Sequence, residues 1–283
     1  MMTTGHNPVF SRIDEHTASV SDSVALRIYS STKPFNQKIA DLQKGLVFVY
    51  NGAEVIGEGT GFGVPILKYS DETYFSSLSA LYARRQGNLT IIRKDFLVDV
   101  ASRDVFRNVK LKNRKARTVI DYLSDMYQKH KHLRFLTMKG LLFRLGVHTN
   151  FAKVPSRGTV TMIYKIRGER ILVETDFSLT DRTSLRKIFI LNEQSSLFFR
   201  VYSDSDGLRL TDENIGAWDE VRAQWATIGD SQSKVGFSLK KERDSILRRG
   251  REYIKGSMDW VGLDYEVDPN SNMFRYEIRI TEG

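Results

Sequence analysis

The segment Met258–Pro269 (MDWVGLDYEVDP) places Asp259, Asp264 and Glu266 within a few residues of Trp260 and Tyr265. Aromatic rings cover the C–H faces of a sugar while carboxylates accept from its hydroxyls, so this mixture suits a saccharide. Two such carboxylates can also run glycoside chemistry when they stand ~5–10 Å apart. Asp259, Asp264 and Glu266 are therefore the candidate catalytic groups, and Trp260 and Tyr265 the candidate ligand platform. A core role for these rings is the competing explanation.

A second candidate surface comes from the run Gly57-Glu58-Gly59-Thr60-Gly61-Phe62-Gly63. If it is a strand, its four alternating glycines share one face, which then carries no side chains. Such a bare face lets a backbone, an aromatic or a ligand approach closely. Gly57, Gly59 and Gly61 are accordingly taken as ligand-facing positions. The spacing fits neither a dinucleotide fingerprint nor a phosphate-binding loop, because no Gly-Lys-Ser/Thr follows.

The third is electrostatic. Residues 84–144 hold sixteen Lys/Arg against five Asp, a local excess of +11, whereas residues 151–283 hold 21 of each sign. The densest part, Arg107–Arg117, contains Arg107, Lys110, Lys112, Arg114, Lys115 and Arg117 and no acid. A field of one sign suits a nucleic acid or another polyanion, with Phe106, Tyr122 and Phe135 offering stacking partners. A solvated face explains the same density without a ligand, and a basic helix could also rest on anionic lipid.

Other chemistries are disfavoured. With no cysteine there are no disulfides, thiolate nucleophiles or cysteine-ligated metals. The five histidines form no HExxH motif, and none lies beyond His148. Asp204, Asp206, Gly207 and Glu213 match positions of a calcium loop, but Tyr202 stands where the first carboxylate is needed, so a hairpin turn is the better reading. No metal or cofactor is expected.

These groups must be held by strands. The alternations Val235–Leu239 and Phe274–Ile280 repeat at the two-residue period of half-buried strands. Asn51-Gly52 and Arg167-Gly168 punctuate β-rich runs as hairpin turns. Two segments look helical: Lys115–His132 and Thr137–Leu145, which together make a central insertion over 115–146. A further helix is expected over 212–226, with Ile215, Trp218, Val221 and Trp225 on one stripe.

The expected fold is thus mainly β (α+β), a large antiparallel sandwich-like body with a central helical insertion. Residues 1–23 read as a disordered or loosely docked tail, and 24–283 as one large domain with a possible division near 149–158. No run approaches the ~18 apolar residues of a membrane span, and neither a signal peptide nor a cysteine points to export, so the expected compartment is cytoplasmic. The leading functional expectation is binding or processing of a carbohydrate-like ligand on a sheet face. Polyanion binding and a purely structural or interaction role are the alternatives.

Overall fold

The computed structural model describes residues 10–31, 34–38, 41–56, 60–70, 72–106, 109–110, 147–216, 218–254 and 258–282. The N-terminal strands are short: β1 (Ser11–Ile13), β2 (Glu15–Ser19), β3 (Val24–Tyr29), β4 (Val47–Tyr50) and β5 (Ala53–Glu54). Longer ones follow in β6 (Gly61–Tyr69), β7 (Thr73–Gln86) and β8 (Leu89–Phe106), then β9 (Val109–Lys110) and β10 (Val147–Lys153). Next come β11 (Gly158–Arg167), β12 (Arg170–Leu179), β13 (Leu185–Gln194), β14 (Val201–Asp204) and β15 (Arg209–Thr211). The chain closes with β16 (Asp219–Glu220), β17 (Trp225–Gly229), β18 (Gly236–Lys240), β19 (Ser245–Ile254), β20 (Met258–Val267) and β21 (Met273–Thr281).

Every pairing among these strands is antiparallel. One layer runs β15-β14-β17-β18-β21-β12-β11-β8-β7, and a second runs β6-β13-β20-β19-β16. The hairpin between β6 and β7, with Leu67 opposite Tyr74, joins them. A small sheet, β2-β3-β4-β5, attaches to β6 through the bridge from Leu46 to Phe62.

The layers face each other through aromatic rings. Phe62 of β6 meets Phe237 of β18 at 4.8 Å, and Tyr265 of β20 meets Tyr276 of β21 at 4.9 Å. Phe48 and Phe199 close the same core from the small sheet and the 195–199 turn. Strict alternation drives this arrangement: in β21, Phe274, Tyr276, Ile278 and Ile280 are all buried and their neighbours are not. Burial of so much apolar surface is the main stabilising contribution.

Both hairpin turns form as expected. Asn51 and Gly52 have φ of 48° and 82°, the left-handed pair a tight two-residue turn requires, and Gly168 has φ 52° between β11 and β12.

Three expectations need correction or lie out of reach. The helix over 212–226 is absent: a single 3-10 turn, Asp212–Ile215, ends at Gly216 with φ 88°, and strands follow. Trp225 stands exposed on β17 rather than in a core stripe. Within the stretch expected to be a loose tail, Ser11–Ile13 pairs with β7 and Glu15–Ser19 with β3. The helical insertion over 115–146 lies outside the described residues. No helix among the described residues is long and apolar enough to cross a membrane.

Candidate functional site

The site begins with a fault in the sheet. Between β13 and β6, Leu191 pairs with Val64 but Asn192 pairs with Phe62, so Gly63 is an extra residue bulged out of the ladder. Gly61 and Gly63 adopt φ of 84° and 76°. A β-carbon on Gly63 would stand 2.6 Å from Tyr164 Oη, which is why only glycine fits there. Bulges gather next to functional sites because they re-aim side chains.

The bulge leaves backbone donors without strand partners, and buried side chains satisfy them. Gly63 N–H donates to Asn192 Oδ1 at 3.1 Å, and Asn192 N–H donates to Asp264 Oδ1 at 2.8 Å. Tyr276 donates to the same Asn192 oxygen at 2.9 Å, while Asn192 Nδ2 donates to the Leu263 carbonyl at 3.1 Å. Tyr164 donates to the Gly63 carbonyl at 2.9 Å. Each polar group of this plug has a partner, as burial demands.

Beside the bulge, four strands align in one transverse row. Gly250 of β19 pairs with Gly262 of β20, Gly262 with Glu193 of β13, and Glu193 with Gly61 of β6. Cross-strand partners share a face, so this row is a glycine floor with one carboxyl in it. Two residues further along the same face, Glu252 pairs with Trp260.

The indole of Trp218 lies directly on the floor. A β-carbon on Gly250 would come within 2.5 Å of it, and Trp218 Nε1 donates to Glu252 Oε1 at 3.1 Å. Trp218 has φ 61°, a left-handed conformation that a bulky residue adopts only when its surroundings impose it. Arg248 helps to impose it, donating from Nη1 to the Trp218 carbonyl at 3.3 Å. Trp218 and Trp260 are both half-buried, and they flank Glu252 on the outer face of the second layer.

Glu193 is almost fully buried and accepts from Thr60, whose Oγ1 stands at 2.9 Å and whose backbone N–H also supports the carboxyl. Burial pushes its pKa up to about 7, with the charge of Glu252 adding in the same direction. Asp264 is raised well above the ordinary carboxylate range, first by burial and then by Glu193. A neutral carboxyl beside a carboxylate is the arrangement that can hold or hand over a proton. Among the described residues no group of three metal-ligating side chains stands close enough to hold an ion.

The raised Glu193 pKa carries a stability consequence. The native state binds a proton that the unfolded state has already lost between about pH 4.3 and about pH 7, so stability falls as pH rises through that window. Glu193→Gln removes this fall. Urea midpoints at pH 5 and pH 8 should show the variant gaining on the parent at the higher pH; a constant difference contradicts the assignment.

The two-residue period of β20 splits the sequence candidates. Trp260, Asp264 and Glu266 join Gly262 on the outer face. Glu266 is bound by Arg248 at 2.6 Å and Lys187 at 2.6 Å; burial opposes its ionisation, but these cations outweigh it and hold its pKa low. Asp259 and Tyr265 point the other way. Asp259 accepts from Ser195 Oγ, Ser196 N, Ser196 Oγ and Leu197 N and holds the turn after β13. Tyr265 is a fully buried core ring donating to the Lys240 carbonyl at 2.5 Å. Neither is available to a ligand.

Of the glycine candidates, Gly61 belongs to the floor row but through a left-handed bulge rather than a regular strand, and Gly57 and Gly59 lie outside the described residues. Arg107, Lys112, Arg114, Lys115 and Arg117 lie outside them too, and Lys110 is described only as backbone of β9. Glu193, Glu252, Trp218 and Asn192 are not legible from any motif. The one local signal is Asn192–Ser196 (NEQSS), five polar residues continuing the apolar run of β13, all of them buried.

No protein-family model and no curated protein matches this sequence. Among the solved structures that align with this chain are two of low identity. The α-N-acetylgalactosaminidase NagBb from Bifidobacterium bifidum, solved with GalNAc, aligns with a TM-score of 0.49 at 11% identity. That alignment covers 94% of this chain but 36% of the galactosaminidase, so the chain spans about a third of its length. The Slr1438 protein from Synechocystis sp. PCC 6803 aligns with a TM-score of 0.42 at 8% identity, over 100% of this chain and 99% of that one. Likenesses this remote carry no argument about chemistry.

Proposed function

We propose that the outer face of the second layer binds a carbohydrate-like ligand between Trp218 and Trp260. The observation that carries the reading is the placement of two half-buried indoles on either side of Glu252, one of them seated on Gly250. Indole faces cover the C–H surface of a sugar, Glu252 accepts from hydroxyls, and the glycine floor seats the Trp218 ring against the backbone. Glu193, whose pKa burial raises to about 7, stands at the base of the same strip and donates in its protonated form.

Intrinsic tryptophan fluorescence titrated with a panel of mono- and oligosaccharides tests it. At least one sugar should quench or shift the emission, and Trp260→Ala should weaken that sugar about tenfold, the equivalent of ~1.4 kcal/mol of lost stacking. No response to any sugar at tens of millimolar, or an unchanged affinity in the variant, overturns the reading.

A further inference from the structure

A cavity of about 470 Å³ opens at the opposite end of the β13–β14 connection, lined by Leu197, Phe198, Arg200, Arg209, Asp212 and Asp230 among others. It shares no lining residue with the tryptophan strip. Its volume is that of a small-molecule site. Two guanidinium groups and two carboxylates face the same space, so the cavity is charge-balanced rather than selective for one sign.

The donors and acceptors are only partly used. Arg200 spends Nε on Asp212 at 2.6 Å, leaving both of its Nη groups available, and lies near enough to Asp230 for their charges to interact. The side chain of Arg209, exposed on β15, makes no hydrogen bond or ion pair among the described residues. Asp230 takes donors from its own turn: Oδ2 accepts from Ser233 N–H at 2.6 Å, Ser233 Oγ at 2.7 Å and Gln232 N–H at 3.0 Å, and the Ser231 N–H also supports the carboxylate. These bonds overcome burial and keep the carboxyl ionised. Against this polar half stands an apolar wall: Leu197 is 60% exposed, and Phe198 packs edge-on against Phe199.

A singly charged ligand in such a space meets a like charge as well as an opposite one, whereas a molecule bearing both signs can pair at both ends. We propose that this cavity binds a small zwitterion with an apolar body, the chemistry of a free aliphatic amino acid or a dipeptide. Its carboxylate pairs with Arg209 and the Nη groups of Arg200, its ammonium with the Asp230 carboxylate, and its aliphatic part lies on Leu197 and Phe198.

The test is isothermal titration of the full chain with L-leucine, dileucine, N-acetyl-leucine, leucine amide and glycine. Leucine or dileucine should bind at least tenfold more tightly than either blocked compound, because removing one charge leaves either the two arginines or Asp230 without a counter-charge in the ligand. Glycine, without the apolar body, should bind more weakly still. Arg209→Gln should lower the affinity at least tenfold with an unchanged melting temperature, since Arg209 holds nothing in place. Trp260→Ala should leave it unaltered, which separates this site from the carbohydrate strip. No heat from leucine or dileucine up to about 10 mM, a Kd whose binding energy is below ~3 kcal/mol, overturns the proposal. Equal affinity for the blocked compounds, or undiminished affinity in Arg209→Gln, overturns it as well.

Discussion

Asn192→Ala will destabilise the protein by about 4 kcal/mol or more, one of the largest losses available from a single substitution here. The amide is fully buried and bonds three groups of the core: Gly63 N–H, the Tyr276 hydroxyl and the Leu263 carbonyl. Each one stranded without water costs roughly 1–3 kcal/mol, and the space left behind adds to the total. The loss also reaches the candidate site, because the bulge that Asn192 closes sets the register of Glu193 against Gly262 and Gly61. Urea unfolding of Asn192→Ala beside Asn272→Ala, an exposed residue just before β21, gives the comparison. The control should stay within about 0.5 kcal/mol of the parent. A loss below about 1 kcal/mol at Asn192 means that the bulge is held by backbone pairing alone.

Much of the β architecture was legible because its determinants are local. Asn51-Gly52 and Arg167-Gly168 announce turns through residues that tolerate positive φ, and the alternation in β18 and β21 shows which side chains face inward. The spacing of Ile215, Trp218, Val221 and Trp225 misleads for a physical reason. Steps of three and four residues mimic a helical stripe, but Gly216 and Trp218 adopt left-handed backbones and the segment wraps the edge of β19 instead.

The candidate site was half legible. Trp260 and Asp264 belong together because they lie on one strand at even spacing, and the same alternation applied strictly sets Asp259 and Tyr265 apart from them. What it cannot supply is register. Glu193, Glu252 and Trp218 reach Trp260's face from β13, β19 and the loop before β16, through pairings between residues up to dozens of positions apart. The polarity of Asn192–Ser196 hinted at a buried network, but a polar run at a strand's end reads equally well as a loop.

Lys94 shows where charge counting fails most, and it carries the second large prediction. It contributes to the basic excess of residues 84–144, yet its side chain is 1% exposed, packed between β8 and the small sheet. Its Nζ donates to the Tyr29 carbonyl at 2.7 Å and the Lys44 carbonyl at 2.5 Å. Burial lowers its pKa from 10.5 to about 7. Between about pH 7 and pH 10.4 the unfolded chain holds a proton that the native chain has released, so this lysine adds stability as pH rises through that window and loses it as pH falls. Holding it charged in the core at pH 6 costs about 5 kcal/mol, at 1.36 kcal/mol per pKa unit.

Lys94→Met removes that cost and strands two carbonyls, a loss of about 1 kcal/mol each. The variant should therefore be more stable than the parent by about 3 kcal/mol at pH 6 and less stable by about 1 kcal/mol at pH 10. Groups elsewhere titrate alike in both proteins and cancel in the difference, so paired urea midpoints at the two pH values isolate this residue. A difference that keeps one sign across the range shows that the ammonium stays charged in the fold and that its two carbonyls, rather than its desolvation, decide the balance.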